Sequence, residues 1–166
     1  MYTIPKHTLL HILGRSEPWL QGVWNDRYPA WPLPAGFSLH EALVILSRCP
    51  KRMRVWECSL DLKLPIPTWR IIRDRCEKAK IGPDLFCKLL TCKSIDDIRK
   101  EKIDVMKTQP KALGNHGGKI RFRKFCVYGL CGLKLMAIAF RCSISSVMDF
   151  LIWNWIENHS TPSLPK

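Results

Sequence analysis

The feature that most constrains the fold is a mostly apolar stretch from Phe125 to Phe140, which follows a run of basic residues. It contains Lys134 and two glycines and ends at Arg141, so it is shorter than the roughly 20 apolar residues that cross a bilayer. Residues 1–14 lack the charged start, apolar core and cleavage site of an export signal. We therefore expect this stretch to be a buried helix, and the protein to be cytoplasmic with no membrane partner.

The chain is strongly basic. Its 166 residues carry 27 Lys and Arg against 14 Asp and Glu, a formal net charge of +13, while 46% of the residues are hydrophobic. That hydrophobic content is enough for a packed core. Because Lys and Arg that neutralise phosphates gain free energy from counterion release, a polyanion is the expected partner. Charge alone does not distinguish DNA, RNA and an anionic membrane surface.

Apolar periodicity predicts a mostly helical first domain over residues 1–108, serving dimerisation, partner binding or auxiliary DNA contact. Ser38 begins a capping-box pattern ahead of an apolar helix. Partial alternation between Met53 and Leu64 indicates one or two strands. Thr68 and Ser94 are expected to cap further helices.

Residues 109–118 contain Pro110 and several glycines but little that could be buried, so they are predicted to be a linker. The next segment, residues 119–159, starts with alternating basic and apolar side chains, which indicates a strand with one basic face. Helical apolar spacing, a tight turn at Cys142 to Ser145 and a second apolar helix follow, with residues 160–166 as a tail. The predicted order is therefore strand, helix, turn, helix.

A unit this short cannot bury its large apolar side chains alone, because small domains hide too little of their surface. We therefore predict a homodimer in which two strands pair antiparallel and the helix pairs pack together. The paired basic faces would form a two-stranded ribbon of a size that the DNA major groove admits. The expected dimer core comprises Phe122, Leu133, Met136, Phe140, Val147, Phe150, Leu151 and Trp153.

The segment from about Lys119 to His159 resembles the ribbon-helix-helix family of DNA-binding proteins, the Arc/MetJ/CopG superfamily. The resemblance rests on the basic strand, on the helix that closes at Arg141 and Cys142, and on the serines before the last helix. It departs from the family at Cys142, where glycine is frequent. It implies a mainly α fold with a C-terminal β-α-α unit that dimerises through its ribbon.

The resemblance also implies which residues touch DNA. Arg121 and Arg123 would contact base edges, since an arginine fork can donate two hydrogen bonds to guanine and discriminate by about 1–3 kcal/mol. The free N–H groups at the start of the last helix would bind a phosphate. The alternative is that the arginines solvate an edge strand and the serines only cap a helix. The implied auxiliary or phosphate contacts are Lys119, Lys124, Ser143, Ser145 and Ser146.

A second resemblance lies near the N-terminus. The run from Leu9 to Ser16, followed by Trp19, Leu20, Tyr28 and Pro29, is similar to the helix-turn-helix of excisionase and AlpA-type prophage regulators. The alternative is a packing unit in which Trp19 and Trp24 fill the core.

The eight cysteines form no C-x-x-C pair, so we expect reduced thiols acting mainly as small buried hydrophobes and no metal. A zinc site drawing on Cys87, Cys92 and His116 is the alternative. The chain has no glycine-rich phosphate loop, HExxH or GxSxG motif. We accordingly expect neither an enzyme nor a cofactor.

These observations together predict a nucleoid-associated, homodimeric transcription regulator that reads double-stranded DNA sequence-specifically. The family resemblance suggests a plasmid or phage setting, conjugative elements included. RNA polymerase or another regulator is an optional further partner, and higher oligomers on DNA are open. The alternatives are a relaxosome or partition accessory protein and, more weakly, a membrane-surface or zinc-binding interaction protein.

Overall fold

The structure is a computed structural model that describes residues 2–100 and 116–158. Within those residues the chain forms seven helices and four strands. The helices are α1 (Lys6–Leu13), α2 (Glu17–Arg27), α3 (Leu39–Ser47), α4 (Ile66–Ala79), α5 (Pro83–Arg99), α6 (Val127–Phe140) and α7 (Ile144–Asn158). The strands are β1 (Ile4–Pro5), β2 (Gly36–Phe37), β3 (Val55–Pro65) and β4 (His116–Cys126).

The predicted mainly helical fold with small β elements is confirmed. The capping box at the start of α3 is present, because the Ser38 hydroxyl accepts from the Glu41 N–H at 3.2 Å. The Glu41 carboxylate in turn accepts from the Ser38 N–H at 3.0 Å. These two bonds satisfy donors that the first helical turn leaves free.

The two other predicted caps are wrong. Helix α4 begins at Ile66, directly after Pro65, and Thr68 lies inside it, buried and donating to Asp149 of α7 at 2.5 Å. Ser94 lies in the middle of α5, so no new helix begins there. The reason is that Ser94 lies on the buried, mostly apolar face of α5. It packs against the core there and does not lie at the end of a helix.

The larger sheet is a two-stranded antiparallel ribbon of β3 and β4. Leu62 faces Ile120 and Leu60 faces Phe122 across the strands, and these side chains are buried or partly buried. On the opposite face, which is turned to solvent, Asp61 faces Arg121 and Lys63 faces Lys119. The ribbon therefore has the apolar and basic faces that alternation predicts for β4.

The ribbon is formed within one chain, whereas the sequence pattern predicts a ribbon made from two copies. Strand β3 occupies one hydrogen-bonding edge of β4 along most of its length. The physical reason is that β3 supplies Leu60, Leu62 and Leu64 with the same alternation, so an apolar partner for β4 exists in the same chain.

The residues predicted to form a dimer core are packed inside the single chain. The first domain's helices α3 and α5 contact α6, while α5 and β3 contact α7. These elements supply the apolar surface that the C-terminal unit lacks by itself, so burial requires no second copy. Phe122, Leu133, Met136, Phe140, Val147 and Leu151 are buried, and Phe150 and Trp153 are partly buried.

Residues 109–115 of the predicted linker lie outside the described residues, and residues 116–118 belong to β4. Strands β3 and β4 come from opposite sides of it and are paired. One hydrophobic cluster runs from Ile4 to Trp155. Residues 2–100 and 116–158 thus fold around a shared core.

Among the described residues, no single helix has the length and apolar character needed to cross a membrane. Helices α6 and α7 meet that test only when taken together, and they are bent by 98° at the turn between them.

Candidate nucleic-acid interface

Four cations and one carboxylate line an open groove between β4 and α5. We call this the basic groove, and its lining residues are Arg121, Arg123 and Lys124 of β4 with Lys88 and Asp84 of α5. The Lys88 ammonium lies 6.0 Å from the centre of the Phe122 ring and 3.9 Å from the Asp84 carboxylate. Positive charge from two segments distant in sequence therefore converges at one surface.

Arg121 and Lys119, two of the predicted DNA contacts, share one carboxylate. Arg121 donates its Nε–H to Asp61 Oδ1 at 3.0 Å, and Lys119 Nζ lies 3.1 Å from Asp61 Oδ2. The Arg121 bond, followed by the Lys119 bond, holds the pKa of Asp61 below its usual value. Asp61 in turn raises the pKa of Arg121. One negative charge thus partly offsets two cations at this end of the ribbon.

Arg123 and Lys124 are exposed. Over residues 2–100 and 116–158, no carboxylate lies within salt-bridge distance of either side chain. Glu57 faces Lys124 across the strands without forming such a pair. The guanidinium of Arg123 and the ammonium of Lys124 therefore keep their hydrogen-bonding capacity for an external anion.

A β-bulge lies opposite Arg123. Between the pairs Glu57–Lys124 and Leu60–Phe122, β3 has two residues, Cys58 and Ser59, where β4 has only Arg123. A bulge of this kind increases local twist and changes the direction of side chains. The ribbon is therefore irregular at the unpaired arginine.

The serines predicted to bind phosphate make bonds within the chain. Ser143 caps α7, since its hydroxyl accepts from the Ser146 N–H at 3.1 Å, and the two hydroxyls lie 3.0 Å apart. Ser146 is 4% exposed. The Ser145 hydroxyl accepts from the Lys63 N–H at 3.0 Å and so ties α7 to β3. The structure thus places these three serines in capping and packing contacts, outside the basic groove.

Sequence reasoning missed Lys88, Asp84 and Asp61. Lys88 and Asp84 lie on α5, whereas β4 begins only at His116, so no local pattern indicates their proximity to arginines. Asp61 was detectable as the polar residue between Leu60 and Leu62 of a strand, but its partners depend on long-range pairing.

Of the three predicted zinc ligands, the structure describes the side chains of Cys87 and Cys92, and the side chain of His116 lies outside the described residues. Cys87 is buried in the core, and burial raises the pKa of its thiol. Cys92 lies beside Cys126, with 3.6 Å between the sulfur atoms. No group of three or more His, Cys, Asp or Glu side chains suited to a metal occurs in the described part of the chain.

The N-terminal segment resembling a helix-turn-helix forms two helices, α1 and α2, joined at Gly14. Gly14 has a φ of 61°, the left-handed conformation that glycine adopts without strain. Trp24 is buried and Trp19 packs partly against the core, which is the arrangement that the packing alternative predicted.

Comparison of the chain with protein-family models, curated proteins and solved structures finds no match. Membership of the ribbon-helix-helix family stays a prediction.

Proposed function

We propose that the protein binds double-stranded DNA through the basic groove and the exposed basic face of β4, and that it does so as a transcription regulator. The observation that carries the proposal is the convergence of Lys88 with Arg121, Arg123 and Lys124, of which Arg123 and Lys124 have no carboxylate partner in the described residues. Such a surface gains free energy from counterion release when it meets phosphates.

The shape of the surface favours duplex DNA over other polyanions. A two-stranded antiparallel ribbon is narrow enough to enter the major groove, and β3 and β4 form one without a second chain. Arginine is suited to guanine edges, whereas lysine acts as a point charge on phosphate. We therefore assign base contacts to Arg123 and, with its Nε held by Asp61, Arg121, and phosphate contacts to Lys124, Lys88 and Lys119.

Because the apolar side chains are buried within one chain, dimerisation would serve DNA recognition and not folding. Two copies on neighbouring half-sites remain part of the proposal, as does nucleoid association. The complex would then contain two protein copies per DNA duplex, and sedimentation measures this number from the mass of the complex.

The first test separates base reading from general attraction. A duplex that the protein prefers is selected from a random pool, and affinities for it and for a scrambled duplex are measured over a range of salt. Arg123→Ala should lower affinity for the selected duplex by about 1–3 kcal/mol and reduce the preference for it. Lys124→Ala should weaken both duplexes alike and reduce the salt slope by about 1.

Arg27→Ala is the matched control, because Arg27 is exposed, carries the same charge and lies on α2, away from the ribbon. It should leave affinity and slope close to those of the unaltered protein. An equal loss from Arg27→Ala and Arg123→Ala would contradict the proposal and assign binding to overall charge or to the first two helices.

The second candidate function has the same chemistry and a different target. A relaxosome or partition accessory protein would protect an origin region of a mobile element, whereas a regulator would protect a promoter. Footprinting of both regions distinguishes the two. A membrane-surface protein would instead prefer anionic vesicles to duplex DNA at equal salt.

A further inference from the structure

Two cysteines that are far apart in sequence meet at the junction of β4 and α6. Cys126 is the last residue of β4, and Cys92 lies in α5. Their sulfur atoms are 3.6 Å apart. A disulfide has an S–S length of about 2.0 Å, so the two sulfurs have to approach each other by little more than an ångström and a half.

The surroundings of Cys126 favour a thiolate. Its sulfur caps α6 by accepting from the Gly129 N–H at 3.2 Å. It also lies in hydrogen-bond contact with the Cys92 sulfur, and this contact is the main cause that lowers the pKa of Cys126, against an opposing contribution from burial. The Gly129 bond and the charge of Lys88 act in the same direction. The pKa of Cys92, in contrast, is raised, first by its bond to Cys126 and then by burial, so Cys126 is the member of the pair that favours the thiolate.

The pair opens onto a groove of its own, which we call the thiol groove. Its lining includes both cysteines with the cationic residues Arg48, Arg52 and Arg99. The one carboxylate there, Asp96, accepts from the Tyr128 hydroxyl at 2.6 Å and lies 3.5 Å from Arg99. A small oxidant can therefore reach Cys126 in electropositive surroundings, which are those of reactive cysteines.

Four other thiols differ from Cys126 in the direction of their pKa shifts. Burial raises the pKa of Cys76 and of Cys131 to about 11, and it also raises the pKa of Cys87 and Cys142. Structural cysteines of this kind are inert.

We propose that Cys126 is a peroxide-reactive cysteine and Cys92 its resolving partner, so that hydrogen peroxide converts the pair into an intrachain disulfide. In the first step the Cys126 thiolate attacks one peroxide oxygen. An S–O bond forms, the O–O bond breaks, and the departing hydroxide takes a proton from solvent to leave as water. The sulfur is oxidised by two electrons to sulfenic acid and the peroxide is reduced.

In the second step the Cys92 sulfur attacks the Cys126 sulfenic sulfur. The S–S bond forms, the S–O bond breaks, and the hydroxyl leaves as water with the proton that Cys92 releases. The product links α5 covalently to the junction of β4 and α6. A low-molecular-weight thiol reverses the reaction by thiol–disulfide exchange.

The test exposes the full-length protein to hydrogen peroxide without DNA, so its outcome is independent of DNA binding. The unaltered protein should lose the mass of two hydrogen atoms and two of its eight thiols, and peptide mapping should place the bond between Cys92 and Cys126. Cys92→Ser should accumulate a sulfenic acid on Cys126 that dimedone traps. Cys126→Ser should keep its remaining thiols at the same peroxide dose.

Cys58→Ser is the control, because Cys58 is also half-buried on the ribbon but lies opposite Arg123, away from the thiol groove. It should oxidise as the unaltered protein does. In the unaltered protein the rate of Cys126 alkylation by iodoacetamide should rise with pH around a midpoint below that of an ordinary thiol. Retention of all thiols by the unaltered protein, or first oxidation at a cysteine other than Cys126, would overturn the proposal.

Discussion

Asp61 determines how much positive charge the ribbon presents. It is bonded to both Arg121 and Lys119, and these bonds keep its pKa low, so it stays ionised well below neutral pH. Its carboxylate therefore competes with an incoming phosphate for the same two cations. This competition makes Asp61 a restraint on affinity.

Asp61→Asn should strengthen DNA binding, because it removes the competing charge while keeping the side chain's shape. We expect tighter binding to selected and scrambled duplexes alike and a steeper dependence of affinity on salt, by up to about 2 in slope. Fluorescence anisotropy over a salt series measures both quantities.

The control for this variant is Asp74→Asn. Asp74 is also paired with a lysine, Lys78 at 3.1 Å, but on the exposed face of α4. It should change affinity only slightly. If removal of either carboxylate strengthened binding equally, the ribbon would have no special role.

At this scale the sequence predicted which strand is basic but not which cations are unpaired. Alternation in β4 is local, so the exposure of Arg121 and Arg123 could be foreseen. Whether each is neutralised depends on Asp61 and on the bulge in β3, and both act through cross-strand pairing that local pattern does not determine.

Among the elements, the contact between α5 and α6 depends on a glycine. A Cβ atom on Gly132 would collide with the Cδ1 and Cγ1 atoms of Ile95. Glycine weakens helix propensity at this site, but it lets the Ile95 side chain lie directly against the α6 backbone. Close approach of the two helices is thus the reason that a glycine is tolerated inside α6.

Gly132→Ala should therefore destabilise the fold, although alanine is the better helix former. Overpacking of a filled core costs about 1–3 kcal/mol, which exceeds the gain in helix propensity of about 1 kcal/mol. We expect the free energy of unfolding in urea to fall by about 1–2 kcal/mol. Adding Ile95→Val, which deletes the Cδ1 atom, should restore part of it.

Gly22→Ala in α2 is the comparison, since nothing lies within 4 Å of a Cβ built there. It should raise stability by up to about 1 kcal/mol through helix propensity alone. Equal effects from the two glycine substitutions would show that close approach of α5 to α6 plays no part.

Helix positions were largely predictable because apolar spacing and prolines are local signals. Ser94 and Thr68 were misassigned because a serine or threonine that caps a helix and one that is buried within it have the same sequence appearance. Thr68 connects α4 to α7, because its hydroxyl accepts a hydrogen bond from the Trp153 indole N–H at 2.9 Å. No residue near Thr68 in sequence indicates that partner.

In the molecule as a whole, a single core joins residues 2–100 to residues 116–158. The sequence correctly indicated that the C-terminal unit cannot bury its apolar surface by itself. It left open whether a second copy or the chain's own N-terminal helices would cover that surface. We predicted that a second copy covers it. In the structure, α6 packs against α3 and α5 of the same chain.

A shared core predicts one cooperative unfolding transition. Calorimetry should give equal calorimetric and van't Hoff enthalpies. Leu133→Ala, a change at a fully buried site, should lower the free energy of unfolding by about 2–5 kcal/mol and shift the entire transition. Two transitions, only one of which moved in the Leu133→Ala variant, would instead indicate separate domains.

The pairing of β3 with β4 also affects how the protein is made. During translation β3 leaves the ribosome long before β4 has been synthesised, and the elements that cover α3 and α5 come later still. In the nascent chain the edges of β3 therefore stay unpaired, and its leucines stay exposed to solvent, until β4, α6 and α7 have emerged. Ribosome-associated chaperones would be most needed during that interval, and a stalled chain ending before α6 would be prone to aggregate.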